Sequence, residues 1–105
     1  MTTSTARKEF FVAGTNGERT IMAFQLATFA HYIENIQFRF VVTQIPGAAE
    51  VVLTHRNSGR RVCAVPHVSI QAAAGDYVVA ARGELEKVIE RAGAARVRSV
   101  LASAE

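Results

Sequence analysis

The stretch Glu50–His67, EVVLTHRNSGRRVCAVPH, decides the fold because it spells two strands joined by a tight turn. Glu50–Thr54 and Arg61–Val65 are rich in β-branched and apolar residues, as strands are, and Asn57–Gly59 between them has turn chemistry. Pro66 has no N–H for a strand ladder, so it marks a strand end or an edge. The stretch therefore predicts an antiparallel hairpin.

More strands are predicted upstream of this hairpin. Phe38–Val42 alternates aromatic with β-branched residues, and Pro46 and Gly47 supply a turn after it. Together with the hairpin, this segment predicts an antiparallel meander of three strands, with its two phenylalanines facing the core. Lys8–Ala13 is interpreted as a further short strand.

A helix is predicted between these upstream strands, over about Ile21–Asn35. Apolar residues recur there at spacings of four and three, typical of one helix face: Met22, Leu26, Phe29, Ile33 and Ile36. Two alternatives stay open just before it. Asn16 and Gly17 favour a hairpin turn, whereas Thr15 with Glu18 forms a capping box that would open the helix directly.

The second half of the chain is predicted to be mainly helical. Ser69–Gly75 is interpreted as a loop and Asp76–Ala81 as a short fourth strand. A second helix follows, and Gly93 closes it in the left-handed conformation that glycine adopts easily. Its apolar stripe consists of Leu85, Val88, Ile89 and Ala92. A last helical turn contains Val97, Val100 and Leu101.

Length and composition predict a single globular domain. The chain has 105 residues, of which 50% are hydrophobic, enough to bury a core without cross-links. Met1–Arg7 is predicted to be a disordered tail, and residues 8–105 one α+β domain. Its expected architecture is an antiparallel sheet of three to four strands with two helices packed on one face.

Cysteine content and hydropathy favour a cytoplasmic protein. Cys63 is the only cysteine, so it is expected to be a reduced, buried thiol, and an internal disulfide is excluded. We expect neither a secretory signal nor a membrane partner, since no apolar run approaches the roughly 18 residues of a membrane span. The formal net charge of +3 favours an anionic partner, though weakly.

The arrangement of the arginines is more informative than their total. Arginines crowd the turn of the predicted hairpin and recur near the end of the chain, and guanidinium groups match phosphate and carboxylate geometry. The alternative is an ordinary solvated face paired with nearby glutamates. The predicted binding residues are Arg56, Arg60, Arg61, Arg91, Arg96 and Arg98.

No catalytic, metal or cofactor site is predicted. If the protein were an enzyme, His55 or His67 would be the candidate general acid or base, and His31 is expected to be a partly exposed polar residue. Strand spacing separates His55 from His67 and Cys63 from His67, so neither a catalytic pair nor a zinc site is expected. The glycines form no phosphate-binding or dinucleotide motif.

The order of elements resembles the HicA toxins, which are small ribonucleases with the double-stranded-RNA-binding-domain fold. The resemblance spans roughly Met22–Ala102, and its most specific parts are Gly59–Val62 leading to Val65–His67, then Leu85–Gly93. It implies the order helix, three strands, helix, and an RNA substrate. The family's catalytic histidine aligns with Ala49, so the resemblance implies a relative that binds without cutting or uses another histidine.

Three functional hypotheses follow from these patterns. The leading one is a non-enzymatic binding module whose basic hairpin engages RNA or an acidic surface of a nucleoprotein complex. A phage or plasmid-encoded inhibitor or regulator would have these properties. The alternatives are a HicA-like ribonuclease toxin and a homodimeric structural or interaction protein.

Overall fold

The computed structural model describes residues 8–14 and 18–105, so the predicted tail Met1–Arg7 and residues 15–17 of the turn-or-cap alternative lie outside it. The described residues form an α+β fold in which one antiparallel five-stranded sheet, ordered β1-β2-β3-β4-β5, precedes three helices. The strands are β1 Glu9–Ala13, β2 Arg19–Ile33, β3 Ile36–Gln44, β4 Val51–His55 and β5 Arg61–Val65. The helices are α1 His67–Ala72, α2 Tyr77–Ala92 and α3 Ala94–Ala104.

The predicted α+β class is confirmed, while the element count is higher than the three to four strands and two helices expected. The largest correction concerns β2, which replaces the helix predicted over Ile21–Asn35. A β-bulge between Gln25 and Ala27 shifts the alternation of side chains between the two sheet faces by one residue. Apolar residues spaced four and three apart, as on one face of a helix, can therefore lie on one face of the sheet. Three residues at that spacing pack against the core: Leu26, Phe29 and Ile33.

The region predicted as a loop and a fourth strand is helical. α1 occupies part of the predicted loop Ser69–Gly75, and α2 replaces the predicted strand Asp76–Ala81. The Asp76 carboxylate accepts hydrogen bonds from the N–H groups of Val78 and Val79, which caps α2. The packing of one apolar helix face against the core outweighs the strand preference of the β-branched residues in this segment. That face consists of Tyr77, Ala80, Ala81, Leu85 and Val88.

Gly93 ends α2 as predicted, with a φ of 93°. The helix after it is longer than the single turn expected, because α3 has 11 residues. Val97 and Leu101 are its buried residues, so α3 packs a full apolar stripe onto the core.

The main core lies between α2, α3 and one face of the sheet. Phe38, Phe40 and Leu53 are at most 1% exposed, and Leu85 covers them from α2. Phe29 of β2 stacks on Phe40 with ring centroids 5.5 Å apart. The predicted placement of the β3 phenylalanines under the helices is therefore confirmed.

The opposite face of the sheet is buried at its centre as well. Side chains alternate along a strand, so Thr43 of β3 and Thr54 of β4 point away from the helices, yet each is at most 3% exposed. Their hydroxyl oxygens lie 3.1 Å apart. The Ala13 N–H donates to the Gly59 carbonyl at 2.8 Å, which brings the end of β1 against the β4–β5 turn.

Candidate functional site

The β4–β5 turn is fixed on one side by β1 and β2, and this contact requires glycine at position 59. Gly59 is buried with a φ of 73°, and a Cβ there would lie 2.9 Å from Arg19 Nε and 3.2 Å from the Ala13 nitrogen. The same Arg19 donates from Nε to the Phe11 carbonyl at 3.1 Å and from Nη1 to the Asn57 carbonyl at 3.4 Å. Arg19 therefore holds the turn in place.

The turn is fixed on its other side by His55, which is 1% exposed. His55 Nδ1 lies 2.8 Å from Ser58 Oγ, and Nε2 lies 2.5 Å from Glu105 Oε2 directly after α3. The ring also contacts two core phenylalanines edge-on. With both nitrogens occupied, this imidazole ties the turn to α3.

The other histidine and the cysteine also have defined surroundings. His67 is exposed, and its Nε2 lies 3.0 Å from the carbonyl oxygen of Ala49. His31 is half-buried on β2. Cys63 is half-buried, and burial raises the pKa of its thiol, which opposes formation of a reactive thiolate. Among residues 8–14 and 18–105, no cluster of His, Cys, Asp or Glu is arranged to hold a metal.

An open groove of about 820 Å³ lies between the β4–β5 turn and the two long helices. Most of its surface is apolar and includes Val62 of β5 and Val100 of α3. Three arginines also line it: Arg60, Arg61 and Arg96. We call this region the arginine groove.

The three arginines of the groove differ in their pairing. Arg60 and Arg96 form no ion pair with any residue in the described part of the chain, whereas Arg61 makes a two-pronged contact to Glu50 at 2.8 and 3.2 Å. The Arg61 hydrogen bonds lower the pKa of the Glu50 carboxyl. Both partners are more than half exposed, so the pair is weak.

Arg56 lies on the other side of the turn. Together with Lys8 and Arg39, it lines a second, mainly polar pocket of about 340 Å³ on the sheet face opposite the helices. We call this region the cation pocket. The structure thus divides the predicted basic hairpin between two separate surfaces.

The remaining predicted binding residues lie outside both surfaces. Arg98 is half-buried, and its Nε lies 3.2 Å from Glu34 Oε1 without hydrogen-bond geometry. Arg91 is exposed in the last turn of α2, where a cation is favoured by the helix dipole. Two other cations have local roles, since Lys87 pairs with a glutamate of α2 and Arg82 lies over an aromatic ring of β2.

Sequence reasoning missed Lys8 and Arg39 as site residues. Lys8 directly precedes β1 and Arg39 lies in β3, far from Arg56 in sequence, and only the sheet register brings them beside it. Alternation along the strands was the available signal, and it required β2 to be recognised as a strand.

Comparison with known proteins adds no family assignment to the α+β fold class. No protein-family model, no curated protein and no solved structure matches this chain. None of the helices in the described part of the chain is both long and apolar enough to span a membrane. The fold is that of an α+β domain, and the described residues form two surfaces that carry arginines.

Proposed function

We propose that this protein is a non-enzymatic binding module whose arginine groove holds an acidic segment of a partner protein. The observation that carries the proposal is the combination, in one groove, of a mostly apolar surface with three guanidinium groups. The apolar surface favours a segment with aliphatic or aromatic side chains, and the arginines favour neighbouring carboxylates.

A protein segment fits this groove better than a nucleic-acid backbone does. Phosphates and sugars are polar, so a nucleic-acid backbone that covered the valine side chains of the groove would make no favourable apolar contact with them. Arginine and apolar side chains together are the composition found at the centre of protein interfaces. An acidic segment of a partner protein is therefore the favoured ligand, and RNA is an alternative outcome of the test.

Binding of a labelled synthetic peptide of alternating glutamate and leucine, followed by fluorescence anisotropy, tests the proposal. We expect Arg60→Ala and Arg96→Ala each to weaken binding by about 1–2 kcal/mol, with Arg39→Ala on the opposite face as the matched control. A peptide with glutamine in place of glutamate should bind much more weakly. Equal binding of both peptides, or equal loss in the Arg39 variant, would contradict the proposal.

Ribonuclease activity and homodimerisation are the two alternative functions, and both can be measured on the same purified protein. A ribonuclease would cleave structured RNA, and His67 is the most exposed of the three histidines, so cleavage lost in His67→Ala would replace the binding proposal. Homodimerisation through the groove would double the mass measured by light scattering. A dimer that Arg96→Ala dissociates would assign the groove to a second copy of the chain.

A further inference from the structure

Three cationic side chains line the cation pocket, and the nearby Glu105, which lines an adjoining pocket with Arg56, is not part of it. The pocket is lined by Lys8, Arg39 and Arg56, together with the amide-bearing Gln25 and the hydroxyl-bearing Thr28. No carboxylate of the described chain lines it, and none of the three cations forms an ion pair with a described residue.

The sheet register explains why these side chains meet. The Arg56 N–H donates to the Arg39 carbonyl at 3.0 Å, which extends the β3–β4 ladder one residue beyond His55. The Gln25 N–H donates to the Lys8 carbonyl at 2.7 Å, which extends the β1–β2 ladder in the same way. Alternation along the strands then places the three cationic side chains on the sheet face opposite the helices.

This arrangement opposes folding in the absence of a ligand. Like charges directly opposite each other on neighbouring strands repel, so the adjacent Arg39 and Arg56 side chains destabilise the sheet. Arg61 and Lys87, by contrast, each pair with a glutamate. An uncompensated cluster in a concave, polar pocket is the arrangement expected of an anion site.

We propose that the cation pocket is a binding site for a phosphate group. A phosphate carries up to two negative charges and several acceptor oxygens, which match two guanidinium groups and one ammonium group. The Thr28 hydroxyl and the Gln25 amide line the same pocket and supply further donors. A carboxylate would satisfy fewer of these groups. The phosphate is either a free phosphorylated compound or part of a nucleic-acid backbone.

NMR titration of the ¹⁵N-labelled full chain with inorganic phosphate, at constant ionic strength, tests the site. We expect saturable shifts at the amides of Arg39 and Arg56, and about tenfold or greater weakening in Arg39→Gln and Arg56→Gln. Arg60→Gln and Arg96→Gln, which lie in the arginine groove, are the matched controls and should bind phosphate normally. Shifts without saturation, or equal weakening in the controls, would overturn the proposal in favour of diffuse attraction.

Thermal unfolding in phosphate-free buffer separates ligand binding from a structural role. Removing one of two repelling guanidinium groups should leave the melting temperature of Arg39→Gln unchanged or raise it. A variant that loses phosphate binding and also melts well below the wild type would show that Arg39 supports the fold instead, and would overturn the assignment.

A single-stranded RNA of about twelve nucleotides distinguishes the two sources of phosphate. RNA that displaces phosphate, and that binds more weakly to Arg39→Gln, identifies a nucleic-acid backbone. Phosphate binding that RNA does not affect identifies a small phosphorylated compound. Either result supports a phosphate site, and neither depends on whether the arginine groove binds acidic peptides.

Discussion

The two sides of the β4–β5 turn carry the same sign of charge in different surroundings. In the arginine groove the guanidinium groups lie beside valines, and Arg61 is already paired with Glu50. In the cation pocket the charges lie beside polar side chains, and no described carboxylate lines the pocket or forms an ion pair with them. Charge alone therefore does not distinguish the two surfaces, whereas the neighbouring side chains and the degree of pairing do.

This difference assigns a different ligand chemistry to each side. A surface that is mostly apolar favours an amphipathic protein segment, while a polar pocket with three unpaired cations favours a compact, strongly charged anion. The turn separates the two surfaces, because His55 fixes it to α3 and Gly59 fixes it to β1. We expect the largest effects from substitutions that remove the contacts of the turn with α3 or with β1.

Replacement of His55 should have the largest effect. His55→Ala leaves a cavity beside two phenylalanines and removes the hydrogen-bond partners of Ser58 and Glu105. We expect the free energy of unfolding to fall by about 3 kcal/mol. Urea denaturation measures this, with the exposed His67→Ala as control. Equal stability of the two variants would remove His55 from its anchoring role.

Gly59→Ala should have the next largest effect. Gly59 and Gly47 both have positive φ, at 73° and 83°, but an added Cβ would meet Arg19 and Ala13 at position 59 and nothing within 4 Å at position 47. We expect a loss of about 2–3 kcal/mol for Gly59→Ala and about 1 kcal/mol for Gly47→Ala. Equal losses in denaturant unfolding would mean that the contact between β1 and the turn contributes nothing.

Arginine substitutions on the two sides should have reciprocal effects. Arg96→Ala should weaken binding of the glutamate–leucine peptide by about 1–2 kcal/mol and leave phosphate binding unchanged. Arg56→Ala should weaken phosphate binding and leave the peptide affinity unchanged. Calorimetric titration of both variants with both ligands measures the four affinities. If each variant weakened both ligands, the two surfaces would act as one.

Glu50→Gln should have the smallest effect, which is an increase in the affinity of the arginine groove for the acidic peptide. Removing the carboxylate frees Arg61, so the affinity for the acidic peptide should rise by less than about fivefold. The exposed Glu86→Gln, which lacks an ion pair within the described chain, is the matched control. An unchanged affinity in Glu50→Gln would show that Arg61 does not contact the peptide.

The same pair predicts a pH effect on stability. The Arg61 hydrogen bonds lower the pKa of the Glu50 carboxyl in the folded state. Its contribution is therefore present above the pKa of the unfolded chain and is lost as pH falls through the lower, folded value. Acid unfolding of the wild type should show this loss, and Glu50→Gln should lack it.

The sequence predicted the hairpin that carries the site but not the partners of its arginines. Turn chemistry and apolar runs placed β4, β5 and the Asn57–Gly59 turn correctly, because those signals are local. β2 was predicted as a helix, since the bulge between Gln25 and Ala27 gives its apolar residues helical spacing. The register that brings Lys8 and Arg39 to Arg56 depends on that strand, so the cation pocket could not be predicted from the sequence.

The helical half shows the opposite error. Tyr77, Val78 and Val79 have the composition of a strand, but the Asp76 cap and the apolar stripe that continues to Leu85 make the segment helical. Tertiary packing therefore decided the structure against local propensity. The groove depends on α2 and α3, so its shape could not be predicted, although Arg60, Arg61 and Arg96 were all among the predicted binding residues.

A two-ligand NMR titration of the full chain tests the central claim most directly, namely that the turn separates two independent anion sites. Phosphate should shift amides around Arg39 and Arg56, and subsequent addition of the glutamate–leucine peptide should shift amides around Arg60 and Arg96 without reversing the first set. Peptide that displaces phosphate and reverses the first set of shifts would contradict the account, because both ligands would then occupy a single basic surface.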